Sequence, residues 1–125
     1  MNNPAPGFIK RPDHKLEITP FEGHVSVSID GQEIAKTDRA LMLAEADYPV
    51  VFYVPLGVIP EKMLAESDHK TWCPFKGHAS YYHLTHEGDT RENAIWTYRN
   101  PFDEAMSIRD YVAIYPSAAS VEPSG

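Results

Sequence analysis

Residues 24–37 read HVSVSIDGQEIAKT. Val25, Val27 and Ile29 alternate with Ser26 and Ser28, the two-residue period of a strand with one buried face. Asp30-Gly31 follows at once, the dipeptide that a tight hairpin turn prefers because both of its central residues need positive φ. Folding the segment on that turn sets Val27 opposite Ile34 as an apolar cross-strand pair. A hairpin of this kind needs a sheet face to pack against, so the stretch points to a β domain.

Similar strand signals continue along the chain. YPVVFYVP (48–55), β-branched and aromatic between two prolines, reads as a strand. KTWC (70–73) and HASYYHLT (78–85) flank a Cys-Pro-Phe-Lys-Gly bend, Glu87-Gly88-Asp89 makes a turn, and AIWTY (94–98) and YVAIYP (111–116) add two strands. Two short helices are expected. One is IPEKMLAES (59–67), with Pro60 near its start and Glu61 in its first turn; the other runs from Asn100-Pro101 to about Ile108. ALMLAEA (40–46) consists of strong helix formers and reads as helical by propensity alone. Many short strands with few helices indicate a mainly β, antiparallel single domain.

The chain has 125 residues, which the usual size relation assigns to one domain with an ordinary core. Proline, serine and small residues crowd both ends, so residues 1–14 and 117–125 are expected to be flexible segments around a domain at 15–116. A net charge of −7, with basic residues scattered singly, is the wrong footprint for nucleic acid. No stretch approaches the length of a membrane-spanning helix. One cysteine rules out an internal disulfide and the opening MNNPAPGFIK is no secretory leader, so a cytoplasmic protein is expected.

Three blocks together resemble a known family: DGQEIAKTDRALMLAEADYPVVFYVP (30–55), TWCPFKGHASYY (71–82) and AIWTYRNPFDEAMSIRDYVAIYP (94–116). In order and spacing they are similar to the domain-of-unknown-function 427 family, with Thr-x-Cys-Pro-x-Lys-Gly-x-Ala-x-Tyr-Tyr as the most specific block. The resemblance implies a compact β fold, similar to the β-tent architecture of methionine sulfoxide reductase B and the cereblon ligand-binding domain. It also implies a strand at ALMLAEA, placing Leu41, Leu43 and Glu45 on one face and Met42 and Ala44 on the other. The family's alternative label, nucleotidyltransferase-like, finds no support. The Gly-Ser followed by Asp-x-Asp that holds metal and nucleotide in such enzymes is absent.

Zinc is not expected, because β-tent relatives that hold it use two Cys-x-x-Cys pairs and this chain has a single cysteine. No cofactor is implied. Cys73 and Lys76 are the catalytic candidates. A free thiol titrates near 8.5, and an ammonium three residues away across a Pro-containing bend would lower that value. No general base or resolving thiol accompanies them in the sequence, and a free cysteine is commonly a packed core residue. Glu45 interrupts an apolar face and needs a partner, which Lys76 supplies either as a structural ion pair or as the polar floor of a pocket. Tyr53, Tyr82 and Trp96 are the aromatic candidates for that pocket, Tyr81 and Tyr82 pointing to opposite faces of one strand. The favoured reading is a small-ligand-binding β module built on Glu45, Lys76, Tyr53, Tyr82 and Trp96. The alternative is an enzyme using Cys73 or Lys76 on a small electrophilic or anionic substrate. Homo-oligomer formation through exposed sheet edges is a further option.

Overall fold

The computed structural model describes residues 2–124. Among them the strands are β1 (Leu16–Pro20), β2 (His24–Ile29), β3 (Gln32–Thr37), β4 (Leu41–Glu45), β5 (Val51–Pro55), β6 (Leu64–Cys73), β7 (Gly77–His86), β8 (Asp89–Thr97), β9 (Tyr111–Ile114) and β10 (Ser120–Ser124). A one-turn helix, α1 (Gly7–Lys10), precedes them, and 3₁₀ turns span Leu56–Val58, Glu61–Met63 and Asp103–Ile108. The strands form a seven-stranded sheet in the order β1-β4-β5-β9-β8-β7-β6 and a three-stranded sheet in the order β10-β2-β3. All neighbours are antiparallel, and neither sheet closes into a barrel.

The strand period of two sorts neighbouring residues of the large sheet into two cores. Val54, Tyr82, Val112 and Ile114 pack with Val25, Val27 and Ile29 of the small sheet. Tyr53, Tyr81 and Ala113, each one residue away, point to the opposite face and join Leu43, Tyr98, Ala105 and Ile108 there. The first core is a conventional sandwich interior; Val25, Ile29, Leu84, Ile95 and Val112 are fully buried, each worth roughly 1.5–3 kcal/mol relative to exposure. The second is roofed partly by the 3₁₀ turn at Asp103–Ile108 and leaves room for a cleft.

The mainly β, antiparallel single-domain expectation agrees with this architecture, and ALMLAEA contains a strand. The Asp30-Gly31 turn also forms, with φ of 51° and 85° at its two residues. Val27, however, faces Ala35 and not Ile34, because the register shifts by a bulge between Val27 and Ser28. The helix expected at 59–67 shrinks to the Glu61–Met63 turn. From Leu64 onward the chain is strand, because Leu64, Ala65 and Glu66 pair with Leu84, His83 and Tyr82 of β7 and that ladder outweighs helix propensity.

Both ends carry defined contacts beyond the boundaries drawn from composition. At the N-terminal end, the Asn3 and Ala5 amides donate to the carboxylates of Asp103 and Glu104, at 2.8 Å each. The Gly7 amide donates to the Pro74 carbonyl at 2.9 Å, and Gly7 sits so close to Phe75 that a Cβ would stand 2.7 Å from its ring. At the C-terminal end, β10 pairs with β2 from Ser120↔Ser28 to Ser124↔His24. No described helix is long and apolar enough to cross a membrane.

Candidate functional site

On the second face of the large sheet, five elements converge on a cleft of about 220 Å³. β4 contributes Leu43 and Glu45, β5 contributes Val51 and Tyr53, and the β6–β7 bend supplies Lys76. Tyr81 of β7 and Trp96 of β8 line it too, with Tyr48 from the β4–β5 turn and Tyr98 and Tyr115 directly after β8 and β9. Ala46 has φ of 46°, a left-handed conformation that is strained for a residue with a Cβ. It directly follows Glu45 and turns the chain so that Tyr48 and Pro49 border the cleft.

The polar end is a cluster of three side chains around one carboxylate. Lys76 Nζ donates to Glu45 Oε1, and His14 Nε2 bonds Glu45 Oε2 at 2.9 Å. The side chains of Glu45, Lys76 and His14 are only 12–13% exposed. Burial alone would raise the Glu45 pKa, but the bonds and charges of Lys76 and His14 outweigh it and hold the carboxyl below its usual value of 4.5. His14 lies flat on Phe75, centroids 3.7 Å apart and planes within 9°, and Phe8 packs edge-on against Phe75. The N-terminal segment therefore braces the bend that carries Lys76. Gly77 makes that bend feasible: its φ of 118° is a conformation that a side chain would strain.

The aromatic end is hydrogen-bonded as well as packed. Trp96 Nε1–H donates to the Tyr53 hydroxyl at 3.0 Å, their rings meeting edge to face. Tyr81 shares a 2.9 Å hydrogen bond with Thr71, and Trp96 also lies against Tyr115. Burial raises the pKa of Tyr53 and of Tyr98 well above the usual phenol value, with nearby Glu45 adding to both shifts. Burial raises Tyr115 in the same direction. These phenols are neutral donors at physiological pH.

Of the residues singled out from sequence, Glu45, Lys76, Tyr53 and Trp96 meet on this one cleft. Tyr82 does not. It lies on the opposite face in the sandwich core, its hydroxyl 3.2 Å from Arg99, and borders a separate hollow with Leu56–Pro60 and Glu66. Its neighbour Tyr81 takes the cleft position, as strand alternation requires once Trp96, its β8 partner, faces that way. Cys73 is half-buried against the Leu43–Tyr53–Tyr98 cluster and is not a lining residue. Sequence reasoning missed His14, Tyr98 and Tyr115 as parts of the site. Tyr98 had a usable signal, since it shares a strand face with Trp96; His14 had none, lying 31 residues from Glu45 in a segment whose composition suggests mobility.

A larger hollow of about 410 Å³ adjoins the cleft between β5 and β10, sharing Pro49, Val51 and Trp96 with it. Its walls are mostly apolar, with Glu122 the one charged lining residue, so it lacks the convergent polar groups that mark a ligand site. Among the described residues no three His, Cys, Asp or Glu side chains come together as a metal site would need. A comparison with curated proteins finds no match. Residues 17–124 match the family model described as a domain of unknown function, DUF427, and on that coverage the chain belongs to the DUF427 family.

Proposed function

We propose that this protein is a small-ligand-binding β module whose site is the Glu45–Lys76–Tyr53–Trp96 cleft. The observation carrying the reading is convergence: side chains from β4, β5, β7, β8 and the β6–β7 bend border one hollow, with Leu43, Val51 and Trp96 among its apolar walls and the Glu45–Lys76 pair at one end. Sites for small molecules combine apolar and aromatic walls with convergent polar groups that fix orientation; here the tyrosine hydroxyls and the ion pair make the lining as polar as it is apolar. At about 220 Å³ the cleft is smaller than a drug-sized pocket and suits a ligand of one ring or a short chain. The enzymatic alternative has less behind it, because Lys76 is bound to Glu45 and Cys73 stands behind the cleft wall. A single unpaired thiol fits a reducing compartment, and we place the protein in the cytoplasm.

The test uses Trp96 as reporter in a Trp72→Phe background, Trp72 being the other tryptophan and half exposed on β6. A panel of single-ring compounds, neutral, anionic and cationic, is titrated while Trp96 emission is followed. Saturable changes that Leu43→Phe abolishes by filling the cleft support the reading. Saturable changes that survive Leu43→Phe, or none with any compound, count against it.

A further inference from the structure

Resting on that reading, the arrangement of donors and acceptors names the ligand class: we infer that the cleft takes a small monocarboxylate with a flat or apolar body, its carboxylate held at the Lys76 end. Glu45 is the one anionic side chain on the lining, and both of its oxygens are engaged, one by Lys76 and one by His14. It is therefore not a free counter-ion for a cationic ligand. Lys76 carries three N–H donors and spends one on Glu45, which leaves two for a guest. The Tyr53 hydroxyl already accepts the Trp96 N–H, so its own proton is the part left to offer. Tyr98, only 6% exposed, adds a second phenol on the same wall.

The polar end thus holds a surplus of donors and an already neutralised anion. A carboxylate is the group with acceptors enough to meet several donors at once, and charge-assisted bonds from an ammonium are the strong kind. A guest carboxylate at Lys76 sets the ammonium between two carboxylates, its own and that of Glu45. The apolar walls formed by Leu43, Val51 and Trp96 then receive the body of the molecule, with the indole available for ring stacking.

The probes are benzoate, benzamide and phenyltrimethylammonium, one ring with an anionic, a neutral or a cationic head, read by Trp96 emission in the Trp72→Phe protein. Benzoate is expected to bind at least fivefold more tightly than benzamide. Lys76→Met should remove that preference and Lys76→Arg should keep it. Should Lys76→Met fold poorly, the Glu45→Gln/Lys76→Met double variant, which leaves no unpaired carboxylate, must lose the preference too. Glu45→Gln alone frees Lys76 and removes the neighbouring negative charge, so it should raise the preference for benzoate over benzamide severalfold. A purely structural ion pair would not produce that split. Benzamide or the ammonium binding as well as benzoate overturns the carboxylate assignment while leaving the cleft a ligand site. Failure of all three probes to bind overturns the proposed function itself.

Discussion

Lys76→Met should destabilise the fold by about 2 kcal/mol, and neutralising Glu45 in the same chain should add little to that loss. Both side chains of this pair are nearly nine-tenths buried, so removing the ammonium strands a carboxylate with only His14 for company. Breaking a fully buried pair costs roughly 3–5 kcal/mol, and losing one hydrogen bond to a charged group roughly 1.5–3 kcal/mol. The pair borders an open cleft and His14 stays in place, which puts the expectation near the lower figure. In a domain of this size that corresponds to a fall in Tm of roughly 8 °C. Glu45→Gln should lose a similar amount, and Glu45→Gln/Lys76→Met should fall short of the summed losses by about 1–2 kcal/mol. Acid supplies an independent check. The folded-state pKa of Glu45 is depressed below 4.5, so its contribution is present above that pH and is lost as the pH falls through the folded value. The difference in stability between wild type and Glu45→Gln should accordingly shrink as the pH falls below about 4.5. Urea denaturation of the four proteins at neutral and acid pH measures both effects. Strictly additive losses, with a wild-type advantage that ignores acid, would refute the argument that these groups hold one another.

Three further outcomes follow from the same geometry. Tyr53→Phe removes the acceptor of the Trp96 N–H, which should cost about 1–3 kcal/mol in urea denaturation and shift the Trp96 emission of a Trp72→Phe protein. Because burial holds the Tyr53 phenol protonated, the same substitution should leave the native phenolate absorbance at about pH 11 unchanged, while in denaturant it removes one-seventh of the amplitude contributed by the chain's seven tyrosines. Gly7→Ala places a Cβ 2.7 Å from the Phe75 ring and 2.9 Å from the Pro74 carbonyl oxygen, which is backbone and cannot swing aside. The N-terminal segment should lift from the bend, and Cys73 should alkylate roughly fivefold faster, as about 1 kcal/mol of easier local opening would give; an unchanged rate means the segment does not guard that thiol.

The parts of this molecule that were legible in sequence are those whose cause is local. The 24–37 hairpin announces itself through alternation and Asp30-Gly31, yet its bulge does not, because the extra residue, Ile34 of β3, is accommodated by packing against the sandwich core. Leu64–Glu66 misleads for the opposite reason: its helix propensity is real and is overridden by a partner strand about twenty residues on. Within the site, Glu45 and Lys76 stood out because a carboxylate on an apolar strand face demands a cation. Choosing Tyr82 over Tyr81 required knowing which face of β7 turns toward Trp96, a fact of sheet pairing that no single strand contains. His14 reaches Glu45 because Leu16 pairs with Glu45 in the β1–β4 ladder, so its place is set by long-range register.

The position of β9 has a consequence for how the chain acquires its shape during synthesis. β9 is inserted between β5 and β8, although it follows both in sequence. Until Tyr111–Ile114 leaves the ribosome, β1-β4-β5 and β6-β7-β8 are two separate ribbons, each with one long edge of unpaired amides and carbonyls facing an absent neighbour. Four residues close that seam, meeting β5 at Val54 and Pro55 and β8 from Ile95 to Thr97. The hydrogen bond from Trp96 to Tyr53 reaches across the same strand. A nascent or prematurely terminated chain that stops short of Tyr111 therefore holds every cleft residue except Tyr115 and yet has no cleft; what it presents is a pair of adhesive ribbon edges, and the quality-control machinery of the cell would meet it as an aggregation-prone fragment.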